Sequence, residues 1–317
     1  MANKRYINPH QENIRRSLWD VVLWRTGFYD DAHAVQLAPH DFVYPMPTSS
    51  FDPEKPSALW LNHSSFLVQF GSKTLLTDPI WSDRCSPLSF FGPKRRHHAS
   101  VEMAHLPKID YVLISHNHYD HLDAKSVMRL FKRYPDILWF VPSGVKKWFV
   151  SRGVTNVIES AWWDETEIDG GFKATAVPAQ HFSGRRISDL NKTLWTGWVL
   201  EDLNTKKRLY FVGDTGYNSY DFKEIGERFG SMDLSLIPIG SYLPRRFMSP
   251  VHIEPADAVK IHSQVNSVLS LAMHWKTFRL SDEPMHQPPY DLFLALQQES
   301  IDPLSFLAIE PGIQVNW

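Results

Sequence analysis

The sequence predicts an α/β fold, with mixed β-sheets and helices packed on their outer faces, on three observations. Short apolar runs broken by turn residues come first along the chain, as antiparallel strands do. Beyond about residue 110, strand-like runs alternate with segments of helical spacing, which places helices outside a sheet. With 317 residues, 43% of them hydrophobic, the chain can bury a substantial core, and global disorder is excluded.

Residues 1–57 read as an irregular or partly helical lead-in packed on a main domain, 58–317, because Pro39, Pro45, Pro47, Pro53 and Pro56 break any regular element in its second half. Leu59–Asn62, Ser65–Phe70 and Lys73–Thr77 are short strand-like runs, and Gly71-Ser72 between the last two is a turn signal, so a hairpin is expected. Further strands are predicted at Tyr111–Ser115, Leu138–Val141, Lys173–Pro178, Trp195–Leu200, Arg208–Val212, Leu234–Ile239 and Val268–Met273. In Ala124–Tyr134 the residues Val127, Leu130 and Phe131 share one helical face, with Asp123 as N-cap and Pro135 as stop. Helices also fit Gly144–Ser151, Tyr220–Phe229, Pro255–Ser263 and Tyr290–Gln298.

Charge and cysteine content narrow the function. The 33 Lys+Arg nearly balance 35 Asp+Glu, which gives no support to a nucleic-acid partner held by excess positive charge. One cysteine, Cys85, cannot make an internal disulfide or a Cys-rich zinc site and is read as a small packing residue; a metal must be held by nitrogen and oxygen. No apolar run approaches the ~20 residues that cross a bilayer. The first twenty residues carry Lys4, Arg5, Glu12, Arg15, Arg16 and Asp20 where a secretory signal needs an apolar stretch, so a cytoplasmic location is expected, with peripheral contact at the inner membrane surface left open.

The chemistry concentrates in His116-Asn117-His118-Tyr119-Asp120-His121, between a buried strand and a helix. Four metal-competent side chains fill six positions at a strand end, where a rigid scaffold can aim loop residues. His116 and His118 can face one metal while Asp120 and His121 turn to another. A histidine-rich solvated turn is the alternative, and the density of ligand types counts against it.

This H-x-H-x-D-H pattern after a strand resembles the signature of the metallo-β-lactamase superfamily. The strings Trp60-Leu61-Asn62-His63, Leu76-Thr77-Asp78-Pro79, Gly92-Pro93-Lys94-Arg95, Trp162-Trp163, Phe211-Val212-Gly213-Asp214-Thr215-Gly216-Tyr217, Ile237-Pro238-Ile239-Gly240 and His274-Trp275 are similar to the branch of N-acyl-phosphatidylethanolamine-hydrolysing phospholipases D, over about residues 58–285. The resemblance implies an αββα sandwich of two mixed sheets with outer helices, and two zinc ions per chain. It implies His116, His118 and His181 as ligands of the first zinc, Asp120, His121 and His274 of the second, and Asp214 as the bridging carboxylate. It implies hydrolysis of a phospholipid of the N-acyl-phosphatidylethanolamine type to phosphatidic acid and N-acylethanolamine, with Asp214 and Asp120 catalytic and His252 close enough to bind phosphate or donate a proton.

Asp78 reads either as a carboxylate orienting a ligand histidine or as an ordinary turn residue before Pro79. His63 follows Asn62 where the family more often has Gly, and Asn62 is expected to take the left-handed backbone in its place. Phe90-Phe91 beside Lys94-Arg95-Arg96 suits a lipid surface, but the preferred reading is a solvated loop with two core-packing phenylalanines. Three other functions stay open: a same-fold hydrolase of small phosphodiesters, lactones or esters; a nuclease; and a non-catalytic lipid-surface binding protein. A redox di-iron centre is disfavoured because such relatives carry a carboxylate at the position of His118. Oligomeric state is not set by the sequence.

Overall fold

The computed structural model describes residues 5–11, 18–29, 36–47, 51–168 and 170–317. Two seven-stranded mixed sheets face each other. The first holds β1 (Ser57–Asn62), β2 (Ser65–Phe70), β3 (Lys73–Thr77), β4 (Tyr111–Leu113), β5 (Leu138–Pro142), β6 (Val157–Ser160) and β14 (Gln314–Asn316), in the order β14-β1-β2-β3-β4-β5-β6. The second holds β7 (Glu165–Ile168), β8 (Phe172–Val177), β9 (Gly197–Asp202), β10 (Arg208–Phe211), β11 (Met232–Pro238), β12 (Ser267–Met273) and β13 (Phe306–Leu307), in the order β13-β12-β11-β10-β9-β8-β7. In the first sheet β14-β1-β2-β3 pair antiparallel and β3-β4-β5-β6 parallel, and in the second β7-β8-β9-β10 pair antiparallel and β10-β11-β12-β13 parallel; α-helices lie in every parallel connection but β3–β4, which a long loop makes. The helices are α1 (Leu18–Arg25), α2 (Ala124–Arg133), α3 (Lys146–Val150), α4 (Asp221–Phe229), α5 (Arg245–Met248), α6 (Pro255–Gln264) and α7 (Gln287–Gln298).

Side-chain alternation explains the layering. Phe66, Val68 and Phe70 of β2, Tyr111 and Leu113 of β4, and Phe140 of β5 enter the cluster between the sheets, where Phe172, Trp198, Phe211, Leu234 and Leu271 of the second sheet meet them. Their neighbours Leu76, Val112, Trp139 and Val141 point to the other face and pack under Val127 and Leu130 of α2 and Phe149 of α3. Strands buried on both faces therefore read as continuous apolar runs. Phe222 and Ile225 of α4, Val259 and Ile261 of α6, and Leu292 and Leu296 of α7 cover the outer face of the second sheet.

The structure differs from the sequence reading in places, each with a physical cause. Strand β9 begins at Gly197 rather than Trp195, because the Trp195 indole donates to the Ala179 carbonyl (2.8 Å) and draws that residue into a loop. Strands β6, β7 and β14 are short, polar or terminal, so they carry little apolar periodicity. The Asp123 cap of α2 is present, its carboxylate accepting from the Lys125 amide. Described parts of the lead-in lie against the sheets: the Tyr44 hydroxyl donates to the Phe306 carbonyl (2.6 Å) and the Ala38 amide to Gln287 (2.9 Å).

Candidate metal centre

Apart from His252, which lies between α5 and α6, every residue singled out for the site sits just past a strand end or in a neighbouring turn. The 116–121 loop follows β4, His181 follows β8, Asp214 follows β10 and His274 follows β12; Asp78 follows β3 and His63 lies in the β1–β2 turn. Two bonds lock the sheets together at this edge, from the Trp198 indole to the Ile114 carbonyl (2.9 Å) and from the Thr196 amide to the Ser115 carbonyl (2.9 Å). His63, Asp78 and His274 all have positive φ (42°, 29° and 63°), a conformation non-glycine residues adopt at a cost and one that clusters at functional sites. Gly240 permits a close approach beside the site: a Cβ there would meet the His274 carbonyl at 2.2 Å.

The side chains form two adjoining groups. In one, His118 Nδ1 lies 2.8 Å from His116 Nε2 and 3.2 Å from His181 Nε2. In the other, Asp120 Oδ2 lies 3.1 Å from His63 Nε2, 3.4 Å from His121 Nε2 and 3.5 Å from His274 Nε2. Asp214 Oδ2 stands between them, 3.0 Å from His274 Nε2, 3.2 Å from His121 Nε2 and 3.9 Å from both His181 Nε2 and His252 Nδ1.

Outer partners decide which nitrogens face inward. His181 Nδ1 donates to the Val251 carbonyl (2.9 Å), and His121 Nδ1 donates to Asp78 Oδ2 (2.6 Å). The Ser115 hydroxyl donates to that same carboxylate oxygen (2.5 Å), so it is left to accept from His116 Nδ1 (2.9 Å). With Nδ1 engaged outward, His116, His121 and His181 turn Nε2 toward the centre as the nitrogen that would ligate a cation. Burial pushes the His116 and His181 imidazoles well below their ordinary pKa and takes His118 down to about 4, which keeps them neutral. Burial also pulls on His121 and His274, but Asp214 and Asp120 outweigh it, holding His121 well above the ordinary value and His274 at about 9: the carboxylates favour positive charge at these two rings, as a proton or as a metal ion in its place. Among the described residues, Asp214 Oδ1 is buried without a hydrogen-bond partner, and His121 Nε2 and His274 Nε2 lie near carboxylate oxygens without a well-aligned hydrogen bond. Imidazole nitrogens and carboxylate charge converging in one buried space are what a divalent cation requires, so this donor set fits a metal.

The structure brings His116, His118, Asp120, His121, His181, Asp214 and His274 together with Asp78, His63 and His252. His63 is more central than its weak place in the sequence reading, since it reaches Asp120 directly. The left-handed residue in its turn is His63 itself, not Asn62, which stays in β1 where a register shift ends the strand. His252 lies on the rim, 15% exposed, with its ring centroid 5.2 Å from that of His181 and 5.4 Å from that of His274.

Sequence reasoning missed the braces. The Asn8 amide pairs both ways with the His181 backbone, its Nδ2 donating to the carbonyl (2.9 Å) and its Oδ1 accepting from the amide (3.1 Å), while Gln11 holds the Pro250 carbonyl (2.7 Å). Arg185 donates to the carbonyls of Asn117 (2.9 Å) and Leu122 (2.7 Å) and lies over the Tyr119 ring, gripping the histidine loop. A lone Asn in a lead-in and one arginine of a pair carry no local signal.

Residues 73–275 match the family model of the beta-lactamase superfamily domain. N-acyl-phosphatidylethanolamine-hydrolyzing phospholipase D 1 of Caenorhabditis elegans is 39% identical, over 80% of this chain and 74% of its own. The mitochondrial N-acyl-phosphatidylethanolamine-hydrolyzing phospholipase D of Saccharomyces cerevisiae is 36% identical, over 72% of this chain and 49% of its own. Among solved structures, Igni18, a metallo hydrolase of the archaeon Ignicoccus hospitalis, shares the fold with a TM-score of 0.63 at 20% identity, covering 83% of this chain and 98% of its own. The chain therefore belongs to the metallo-β-lactamase superfamily, as a metal-dependent hydrolase resembling N-acyl-phosphatidylethanolamine-hydrolysing phospholipase D.

Proposed function

We propose that this protein is a dizinc phosphodiesterase that hydrolyses N-acyl-phosphatidylethanolamine to phosphatidic acid and N-acylethanolamine. The observation that carries the reading is the double nest of inward imidazole nitrogens joined by one carboxylate, in a chain 39% identical to a phospholipase named for that reaction. His116, His118 and His181 would hold one zinc, Asp120, His121 and His274 the other, and Asp214 both; His63, through Asp120, steadies the second group. When bound, such a pair supplies Lewis acidity toward phosphoryl oxygens and makes a coordinated water acidic near neutral pH.

The chain's own residues do the rest. Asp78 and Ser115 hold His121 and His116 in the tautomers that leave Nε2 free. Water adds to phosphorus as the bond from phosphorus to the ethanolamine oxygen breaks, and the leaving oxygen takes a proton. His252, beside Asp214 yet open to solvent, is positioned to give that proton or to hold the phosphate. The protein would work in the cytoplasm, peripheral at the inner membrane surface, with the described parts of the lead-in before residue 58 as an accessory to the hydrolase domain. Zinc-loaded protein incubated with mixed phospholipids should release phosphatidic acid and N-acylethanolamine by mass spectrometry, and Asp214→Asn should abolish the release. Turnover of water-soluble diesters or lactones with phospholipid untouched would replace this reading with a small-molecule hydrolase; full turnover after metal removal would overturn it.

A further inference from the structure

The loop that carries Phe90 and Phe91 does not pack them into the core. It is a finger pinned at its base and apolar at its tip. An antiparallel bridge joins Arg84 to Lys94, the Cys85 amide donates to the Pro93 carbonyl (3.2 Å), the Arg95 amide to the Asp83 carbonyl (2.8 Å), and the Arg95 guanidinium to the carbonyls of Ser82 and Ile80 (3.0 Å each). Those bonds hold Leu88, Phe90 and Phe91 outward at 45%, 78% and 70% exposure. The pinning is polar rather than apolar: the buried Arg95 spends its donors on backbone carbonyls at the base of the finger.

The base of the finger belongs to the site's rim. Cys85, Ile80 and Phe278 form a small cluster with Tyr119 and Leu280, and Tyr119 precedes Asp120. On the far side of the Phe278–Asp282 stretch lies α1, anchored by the Trp24 indole donating to Asp282 (2.6 Å) and by Trp24 stacked on Phe247 at 5.0 Å. Helix α1 and the turn after it expose Trp19 (66%) and Phe28 (67%). Exposed Lys94, Arg96, Arg246 and Arg279 lie on the finger or between these two patches, against Asp20, Asp83 and Asp282, of which Asp20 and Asp282 already accept from Tyr29 and Trp24.

We propose that this rim, with the finger tip on one side and α1 on the other, docks on an anionic lipid bilayer. Aromatic residues on rigid supports enter the interface at little entropic cost, and the cations between them meet headgroup phosphates. The choice of lipid over protein rests on the phospholipid reading above and on this pairing of apolar tips with exposed positive charge. A bilayer seated there lies at the mouth beside Asp120, so a headgroup reaches the site without its acyl chains leaving the membrane.

Co-sedimentation of the full chain with phosphatidylcholine vesicles, with and without phosphatidylglycerol, tests the proposal, because binding is scored without turnover. The chain should sediment with anionic vesicles, less with neutral ones, and less at high salt. The double variant Phe90→Ser, Phe91→Ser should weaken partitioning by about tenfold or more, and Arg279→Glu should remove the preference for anionic lipid. Unchanged thermal melting of both variants keeps the reading on the surface rather than on folding. Failure of the wild-type chain to bind anionic vesicles, or equal binding by the double variant, overturns the proposal. So does a change in oligomeric mass without a change in sedimentation, which would assign the patch to a protein contact. Vesicle binding without release of phosphatidic acid would leave this surface standing and sink the substrate assignment.

Discussion

Asp78→Asn changes two atoms' chemistry and almost no volume, yet its effect should be large. In the native site Asp78 Oδ1 accepts from the Ser115 amide at 2.8 Å, and Oδ2 accepts from the Ser115 hydroxyl at 2.5 Å and from His121 Nδ1 at 2.6 Å. An amide offers one acceptor and one donor end, and both native positions need an acceptor. If the amide oxygen faces the Ser115 N–H, its NH2 faces His121 Nδ1, which can then receive it only by giving up its proton. That proton moves to Nε2, the nitrogen aimed at Asp120 and Asp214, and His121 is lost as a donor to a cation. If the amide turns round, two N–H groups collide in a buried pocket. Either way one buried polar contact is forfeited, costing roughly 1–3 kcal/mol of stability. Losing the partner that fixes a ligand imidazole should weaken metal binding by about 10- to 100-fold. Competition with a chromophoric chelator for Zn²⁺, alongside urea unfolding, reads both quantities. A variant that binds metal as tightly as the wild type while unfolding at the same urea concentration would refute the tautomer argument.

Three further outcomes follow from the same geometry. Asn8→Ala removes the two-way clamp on His181 and should lower metal affinity about tenfold at one of the two sites only, measured by stepwise chelator competition. His262, buried against the Ser270 hydroxyl (2.8 Å), is taken down by burial to about 4 from an ordinary 6.5. Its unfolded form binds the proton first, so its contribution is intact above pH 6.5 and is lost as pH falls toward 4; from pH 7 to 5 the loss should be about 2 kcal/mol, and His262→Gln should flatten that part of a urea-unfolding profile. Gly240→Ala drives a Cβ into the His274 carbonyl and should cost at least about 1–3 kcal/mol, with weaker metal binding in the folded fraction; a melting temperature equal to the wild type would count against the close approach.

Legibility in the sequence tracked how local the cause was. The β2–β3 hairpin, the Asp123 cap and the helix at α2 were readable because adjacent residues dictate them. The edge strands β7 and β14 were not, since their pairing partners supply what their own side chains lack. The left-handed turn residue was misplaced by one position, from His63 to Asn62, because turn propensity sees residue type while the register of β1 against β2 sets which residue must turn. The hydrophobicity of Phe90 and Phe91 suggests core packing, whereas both are exposed at the tip of a loop whose base Arg95 pins through long-range hydrogen bonds that no local pattern reveals.

By itself the sequence determined the donor types: one cysteine and a histidine–aspartate cluster after a strand restrict any cation to imidazole and carboxylate, and a run of strand ends names where the other donors lie. Only the tertiary structure decided which nitrogen of each imidazole faces inward, that Asp214 stands between the two groups, and that Asn8 grips His181 across 173 residues of chain. Residue identity is a local property, but a tautomer is set by what the opposite nitrogen touches, and a clamp by which surfaces two sheets bring together.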